Sequence, residues 1–460
     1  MQDIPEKIHF IGIGGAGMSG LARVLLELNF DVRGSDINST PVTERLKAYG
    51  ATIYKGQSGD HIGDAELVVY STAISAENSE MLEARRKGIP VIHRADLLGL
   101  LMQRQKGLAV AGAHGKTTTS AMLALVLEKC RQDPTILIGG ELTDIGGNAK
   151  FGRGEFLVAE ADESDGSFLK LCPYLAIVTN VEDDHLDHYG TIEEIIYAFK
   201  QFIHKIPANG TAVLCFDDER LRDMAADCSG QLVSYAVDNP VADYTLQDIK
   251  VDASGSTGEV YYKAEYLGRL KLAVPGRHNL SNALAVVAAC RNIGLSFRDV
   301  VECLQCFRGA GRRFQLVGRE KGITVIDDYA HHPTEIAATL RAARQVHSGR
   351  IIVVFQPHRY TRTKLLCKRF GACFGDADLV IINDIYSAGE QPIDGVSARL
   401  IVDAVHQNKG ERPLLLSAGD ETTTYLSGKL QTGDLILTMG AGDVWKTGVA
   451  LVNRLKESMS

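Results

Sequence analysis

Apolar runs of four to six residues alternate along this chain with longer stretches whose apolar positions recur every three or four residues. The runs fall at residues 8–13, 67–70, 108–111, 156–159, 175–178, 351–355, 379–382 and 435–439. They are nearly continuous in Val, Ile, Leu and Ala, which predicts strands buried on both faces. The stretches 19–28, 117–128, 280–292 and 333–344 predict helices. Regular alternation of the two predicts α/β architecture with mostly parallel sheets. A polar patch (Gln103, Arg104, Gln105, Lys106) and a Gly- and Arg-rich link at residues 309–313 mark two boundaries. They leave units of roughly 100, 210 and 150 residues, each of domain size.

The first strand run leads into Gly12-Ile13-Gly14-Gly15-Ala16-Gly17, with a helical pattern behind it. This is G-x-G-x-x-G between strand and helix, where glycines let the backbone approach a pyrophosphate and the helix N-terminus offers free N–H groups. Asp36 follows a second short strand, where an acid commonly meets a ribose hydroxyl. Ser71, just after the run at 67–70, joins the same expected site. These residues alone suggest NAD or FAD, but any nucleotide diphosphate, a UDP-sugar included, satisfies the chemistry.

A second glycine loop follows the run at 108–111: Gly112-Ala113-His114-Gly115-Lys116-Thr117-Thr118-Thr119, opening another helix. Backbone N–H groups of such a loop cradle phosphates, Lys116 reaches the β- and γ-phosphates, and the Thr117 hydroxyl meets Mg²⁺. The loop is shorter than G-x-x-x-x-G-K-[ST], because Val110 stands five residues before Gly115. Two strand ends supply acids: Glu160, Asp162, Glu163 and Asp165 after one, and Asn180, Asp183, Asp184, His185, Asp187 and His188 after the next. Either cluster alone could be a solvated loop. Both after strand ends, together with a phosphate loop, suit metal-assisted phosphate chemistry.

Composition narrows the class. The 460 residues are 45% hydrophobic and 23% charged, as in a soluble globular protein. A net charge of −8 argues against a generic nucleic-acid or membrane-surface binder. No signal peptide is visible at residues 1–10, and no apolar stretch is long enough to span a bilayer. Nine cysteines cannot all pair within one chain, so reduced thiols in the cytoplasm are expected. Cys303 and Cys306 form a lone CxxC on a helix-like segment, without the second pair that a metal site needs.

Several blocks together resemble the Mur ligase family. They are G-A-H-G-K-T-T at 112–118, Glu160, N-x-x-x-D-H-x-D from Asn180 to Asp187, and Pro275-Gly276-x-His278-Asn279-x-x-Asn282. They continue with Gly309-Ala310-Gly311-Arg312-Arg313-Phe314, Asp327-Asp328-Tyr329-Ala330-His331-His332-Pro333-Thr334-Glu335, Gln356-Pro357-His358-Arg359-Tyr360-Thr361-Arg362 and Met439-Gly440-Ala441-Gly442-Asp443. The opening glycine loop and the block at 327–335 are similar to those of the alanine-adding member. The resemblance implies three domains: a Rossmann-like N-terminal domain at 1–104 for a UDP-sugar, a central P-loop ATPase-like domain at 105–311, and a Rossmann-like C-terminal domain at 312–460. It also implies ATP-driven ligation of L-alanine to the lactyl carboxylate of UDP-N-acetylmuramate, through an acyl phosphate, in peptidoglycan synthesis.

Residue roles follow from the same resemblance. Gly112, Ala113, His114, Gly115, Lys116, Thr117 and Thr118 would hold ATP, with His278, Asn279, Asn282 and Arg313 on its nucleotide side. Helix capping is the competing reading for Asn279, and a simple turn before Pro333 is the one for His331 and His332. Gly12, Gly14, Gly15, Ala16, Gly17, Asp36 and Ser71 would hold the UDP-sugar. Thr117, Glu160 and His185 would bind Mg²⁺, with Mn²⁺ serving as well. Lys116, Glu160, His185 and His331 would be catalytic, and Tyr329, Arg359 and Arg362 would receive the amino acid. A monomer or homodimer is expected, with domain closure around the substrates. Competing readings are an NAD oxidoreductase, an ATP-gated binding protein and a ligase that recycles murein tripeptide.

Overall fold

The computed structural model describes residues 4–142 and 145–457. Three sheets carry the chain. The first consists of β1 (Lys7–Ile11), β2 (Asp31–Asp36), β3 (Thr52–Lys55), β4 (Leu67–Tyr70) and β5 (Val91–His93), in the order β3-β2-β1-β4-β5. All four pairings are parallel. The order reverses between β1 and β4, so the glycine loop after β1 and Ser71 after β4 flank the crevice where such sheets take ligands. The apolar run at 8–13 overshoots its strand. Gly12, at φ +75°, turns the chain out of β1, and the N–H groups of Gly12 and Ile13 both donate to the Ser35 carbonyl. Ile13 is nonetheless fully buried, which explains why hydrophobicity alone extended the strand.

The second sheet begins with β6 (Lys106–Ala111), β7 (Thr135–Leu142), β8 (Gly147–Lys150), β9 (Phe156–Glu160), β10 (Leu175–Val178), β11 (Thr211–Cys215) and β12 (Gln231–Ala236). From one side its order is β12-β11-β10-β6-β9-β7-β8. All of these pairings are parallel except β7 with β8. β13 (Tyr244–Asp252), β14 (Gly255–Tyr262) and β15 (Glu265–Leu272) follow in the chain. Helix Lys116–Lys129 is buried from Thr118 to Leu127, so it is apolar all round rather than amphipathic. Helix Phe297–Leu304 ends before Cys306, so the CxxC straddles a helix end instead of lying on one helix.

The chain falls into two compact units. The first takes in Met1–Gln247, Val260–Gly268 and Asn282–Leu304, and so holds the first sheet with most of the second. Helix Ala16–Glu27 joins them: a side chain at Gly20 would touch Leu137 of β7 and Ala149 of β8. Arg94 pairs with Asp162 at 3.1 Å and Lys170 with Asp96 at 2.7 Å.

The other unit takes in Asp248–Glu259, Arg269–Ser281 and Gln305–Ser460. Its sheet consists of β16 (Gln315–Glu320), β17 (Ile323–Asp328), β18 (Ile351–Phe355), β19 (Leu379–Ile382), β20 (Leu414–Leu415) and β21 (Leu435–Met439). The order is β16-β17-β21-β18-β19-β20, parallel except for β16. Two apolar clusters pack against it, one around Phe355, Phe370 and Phe374, the other around Val354, Ile436 and Leu451.

Candidate active site

The loop after β6 is clamped from the neighbouring strand β10. Thr179 Oγ donates to the His114 carbonyl at 2.6 Å. The Asn180 amide grips the same residue twice, accepting its N–H at 2.8 Å and donating to its carbonyl at 3.0 Å. The grip requires close approach. Gly112 has φ +131°, and a Cβ there would collide with Thr179 Oγ and lie 3.0 Å from the Asn180 nitrogen. Gly115, at φ +85°, is the N-cap of helix Lys116–Lys129. A Cβ at Gly115 would lie 2.8 Å from Asn282 Oδ1, so Asn282 stands against the loop. The arrangement presents a helix N-terminus and a rigid turn to phosphates.

Lys116 uses its ammonium donors on the Gly112 carbonyl (2.6 Å), the Ala113 carbonyl (3.2 Å) and Glu163 Oε1 (2.8 Å). Burial opposes its charge, but Glu163, Asp162 and Glu160 outweigh burial and hold the amine above its ordinary range. Burial likewise opposes the charge on Asp162, yet Lys116 and Arg94 keep that carboxyl below its usual range. Thr117 Oγ donates to Glu160 Oε1 at 2.7 Å. Hydroxyl and carboxylate oxygens thus converge at the helix start, a donor set that suits a hard cation such as Mg²⁺. His185 lies with its Nε2 3.7 Å from Glu163 and 3.6 Å from Asp184. Its backbone is left-handed at φ +59° where it heads the short helix Leu186–Tyr189, and its carbonyl accepts the N–H groups of His188 and Tyr189.

At the first sheet, Gly12 to Gly17 span the turn after β1 and the start of helix Ala16–Glu27. Asp36 stands at the end of β2, where its Oδ2 accepts the Gly14 N–H at 2.9 Å and its Oδ1 the Asn38 N–H at 3.0 Å. It braces the loop, a role that spacing alone did not indicate. The Ser71 carbonyl accepts the Ile74 N–H at the end of β4.

The other unit gathers the remaining candidates. Tyr329 lies under the guanidinium groups of Arg312 and Arg313, 5.0 and 5.2 Å from its ring centre. His331 meets Tyr329 edge-on at 5.5 Å and His358 at 5.8 Å. Arg362 Nη1 is 3.4 Å from His358 Nδ1, and Arg362 is buried. Arg359 heads helix Tyr360–Ala372 with a positive φ of +71°, its N–H donating to the Tyr386 carbonyl. The turn reading of the double histidine is also present. His332 caps helix Pro333–Val346, and Glu335 Oε2 accepts the N–H groups of His331 and His332.

Helix Arg277–Asn292 starts three residues earlier than the apolar pattern indicates, because Gly276 at φ +110° provides the break. Asn279 and Ser281 therefore lie inside the first turns instead of capping them. Asn279 donates Nδ2 to the Pro275 carbonyl at 2.7 Å. Burial, helped by Arg313, pushes His278 down to about 4. Burial pushes Asp328 up to about 6, although Arg313 and the N–H groups of Ala330 and Phe314 oppose the rise. The two shifts act oppositely on stability. The His278 contribution is whole above pH 6.5 and is lost as pH falls toward 4, because only the unfolded imidazole takes the proton. The Asp328 contribution is whole below pH 3.8 and is lost as pH rises through about 6. The variant His278→Gln should therefore lose less melting temperature than wild type between pH 7 and 4.5; an equal or larger loss would refute this.

Three family models cover the chain in order: "Mur ligase family, catalytic domain" at residues 7–106, "Mur ligase middle domain" at 110–290 and "Mur ligase, glutamate ligase domain" at 312–442. A curated relative from Pelotomaculum thermopropionicum, named UDP-N-acetylmuramate–L-alanine ligase, is 58% identical over 99% of both chains. The chain belongs to the Mur ligase family. A Mur ligase of the same name from Desulforamulus reducens is 52% identical, again over 99% of each chain. Among solved structures, the UDP-N-acetylmuramate–alanine ligase of Thermotoga maritima superposes with a TM-score of 0.83. It is 32% identical, covering 98% of this chain and 99% of its own. A murein peptide ligase from Psychrobacter arcticus follows at TM-score 0.73 and 26% identity, covering 97% and 98%.

Three residues of this Mur ligase went unassigned in the sequence reading. Glu163 is 2% exposed and pairs with Lys116. Tyr189 donates to the Glu163 carbonyl at 2.6 Å, and Thr179 grips the loop. For Glu163 and Thr179 the only sequence signal was position after a strand end, which does not rank one acid or hydroxyl above its neighbours, and Tyr189, at the end of helix Leu186–Tyr189, had none.

Proposed function

We propose that this chain joins the amine of L-alanine to the lactyl carboxylate of UDP-N-acetylmuramate, giving UDP-N-acetylmuramoyl-L-alanine, ADP and phosphate, in peptidoglycan synthesis. The observation that carries the reading is the clamped phosphate loop, with Lys116 and the Thr117–Glu160 pair at its helix start, in a chain alike end to end to ligases of that name. A carboxylate is a poor electrophile, since its charge repels nucleophiles and its leaving group would be hydroxide. Transfer of the γ-phosphoryl group to the carboxylate oxygen gives an acyl phosphate. The amine then attacks the acyl carbon, phosphate leaves with the C–O bonding electrons, and the amine loses a proton. Phosphoryl transfer mainly needs alignment and charge neutralisation.

In this reading Gly112 to Thr118 hold the ATP phosphates, and Lys116 turns from Glu163 to the γ-phosphate. Thr117 and Glu160 hold Mg²⁺, with His185 completing the set and Mn²⁺ serving as well. The ion would neutralise phosphate charge. Gly12 to Gly17, Asp36 and Ser71 take the UDP-sugar. His278, Asn279, Asn282 and Arg313 contact the nucleotide. Tyr329, Arg359 and Arg362 take the amino acid, with His331 beside it. The proposed division is 1–104 for the UDP-sugar, 105–311 for ATP and 312–460 for the amino acid. No helix among the described residues is long and apolar enough to cross a membrane. The proposed setting is the cytoplasm, as a monomer or homodimer.

The test is phosphate release with ATP, Mg²⁺ and UDP-N-acetylmuramate, comparing L-alanine with L-Ala-γ-D-Glu-meso-diaminopimelate and weighing the product. A product heavier by one alanine residue supports the reading. Turnover with the tripeptide alone would move the chain to cell-wall recycling, and no turnover with either would refute a ligase. Arg359→Ala should raise the KM for alanine about tenfold or more, because a charge-assisted pair to its carboxylate is lost. The KM for ATP should change little; equal effects on both would undo that assignment.

A further inference from the structure

Cys130 is the C-cap of helix Lys116–Lys129, the helix whose other end is the phosphate loop. Its Sγ lies 3.7 Å from Sγ of Cys303, 173 residues away in sequence, on helix Phe297–Leu304. Both residues are half-buried, so neither is closed off from solvent. Behind them Cys290 is fully buried. Burial, then the neighbouring Cys130 and Cys303, push the Cys290 thiol well above its ordinary range. Cys290 is therefore the least reactive of the three. From a contact of 3.7 Å, the two sulfurs reach bonding distance by a small side-chain adjustment. Nothing in the ligase chemistry uses these thiols.

We propose that Cys130 and Cys303 are a redox-active pair that closes to a disulfide by exchange with a small-molecule disulfide such as oxidised glutathione. One cysteine thiolate attacks a sulfur of the reagent, forming a mixed disulfide and releasing one glutathione thiolate. The second cysteine thiolate attacks the protein sulfur of that mixed disulfide, the protein S–S bond forms, and the second glutathione thiolate leaves. The two protons given up by the cysteines go to the released thiolates. The protein is oxidised by two electrons and the reagent is reduced to two thiols. The bond ties the far end of the phosphate-loop helix to helix Phe297–Leu304 and closes a long loop of chain, which restricts the unfolded state.

The test treats the full-length protein with oxidised glutathione. We expect peptide mapping to find no glutathione retained on Cys130 or Cys303, whatever the exposed Cys172 and Cys306 carry, a linked peptide joining Cys130 to Cys303 that is lighter by two hydrogens, and a melting temperature raised by about 5 °C or more. Dithiothreitol should reverse the linkage and the rise in melting temperature. Cys303→Ala should instead retain one glutathione on Cys130, Cys130→Ser should retain one on Cys303, and Cys290→Ala should still close. Stable adducts on both cysteines of the wild type, or linkage through Cys290 or Cys306, would overturn the proposal.

Discussion

Replacing Lys116 with alanine should lower turnover by about a thousandfold or more while UDP-sugar binding survives. The ammonium donates to the loop carbonyls of Gly112 and Ala113, which puts its charge inside the loop proposed to hold the γ-phosphate. Arg94, the other cation beside Asp162, is committed to that carboxylate. The substitution also leaves Glu163, 2% exposed, without its hydrogen-bonded cation, with His185 standing off at 3.7 Å. Stability should therefore fall, by up to about 3 kcal/mol for a buried pair broken on one side. The two effects can be separated. Lys116→Ala combined with Glu163→Gln removes the uncompensated carboxylate, so melting temperature should recover while turnover does not. Recovery of turnover in the double variant would mean that Lys116 acts through folding rather than through phosphate. The glycine loop at Gly12 to Gly17 lies on a different sheet, so calorimetric binding of UDP-N-acetylmuramate should be near wild type in both.

Gly112→Ala should be nearly as damaging, through geometry rather than charge. An L-residue at φ +131° is strained, and the added methyl would collide with Thr179 Oγ and press on the Asn180 nitrogen. Relief requires β6 and β10 to separate at their carboxyl ends, or Thr179 to give up its bond to His114. Either movement releases the grip that fixes the loop. We expect ATP affinity to fall about a hundredfold and stability by about 3 kcal/mol. Gly50→Ala is the control: φ +106° with nothing within 4 Å isolates backbone strain from collision. If Gly112→Ala binds ATP normally, or costs no more stability than Gly50→Ala, the clamp is not what shapes the loop.

Much of this was legible in the primary structure. Strands such as Leu67–Tyr70, Leu175–Val178 and Leu435–Met439 coincide with their apolar runs because parallel strands buried on both faces have no polar alternation to blur their ends. The helical stretch at 117–128 matches helix Lys116–Lys129 to within one residue at each end, although the helix is buried all round instead of on one face. Ends were less clear where one glycine decides the turn, as at Gly12 and Gly276. The segment holding Cys303 and Cys306 reads as helix, but the helix stops at Leu304.

The order of motifs along the chain determined the family, the two glycine loops and the set of acids, histidines and arginines available for chemistry. Those are local properties, since a strand, a glycine turn and a helix start lie within a few residues of one another. What each polar group does was settled by tertiary structure. Glu163 rather than another of the four nearby acids pairs with Lys116, and Asn180 and Thr179 hold the loop instead of facing solvent. Asp36 braces the first loop, and Arg312 reaches the Gly440 and Gly442 carbonyls across 128 and 130 residues. These partners come from strands adjacent in space but distant in sequence, so pairing and burial, absent from any local pattern, select one carboxylate or amide from several equivalents.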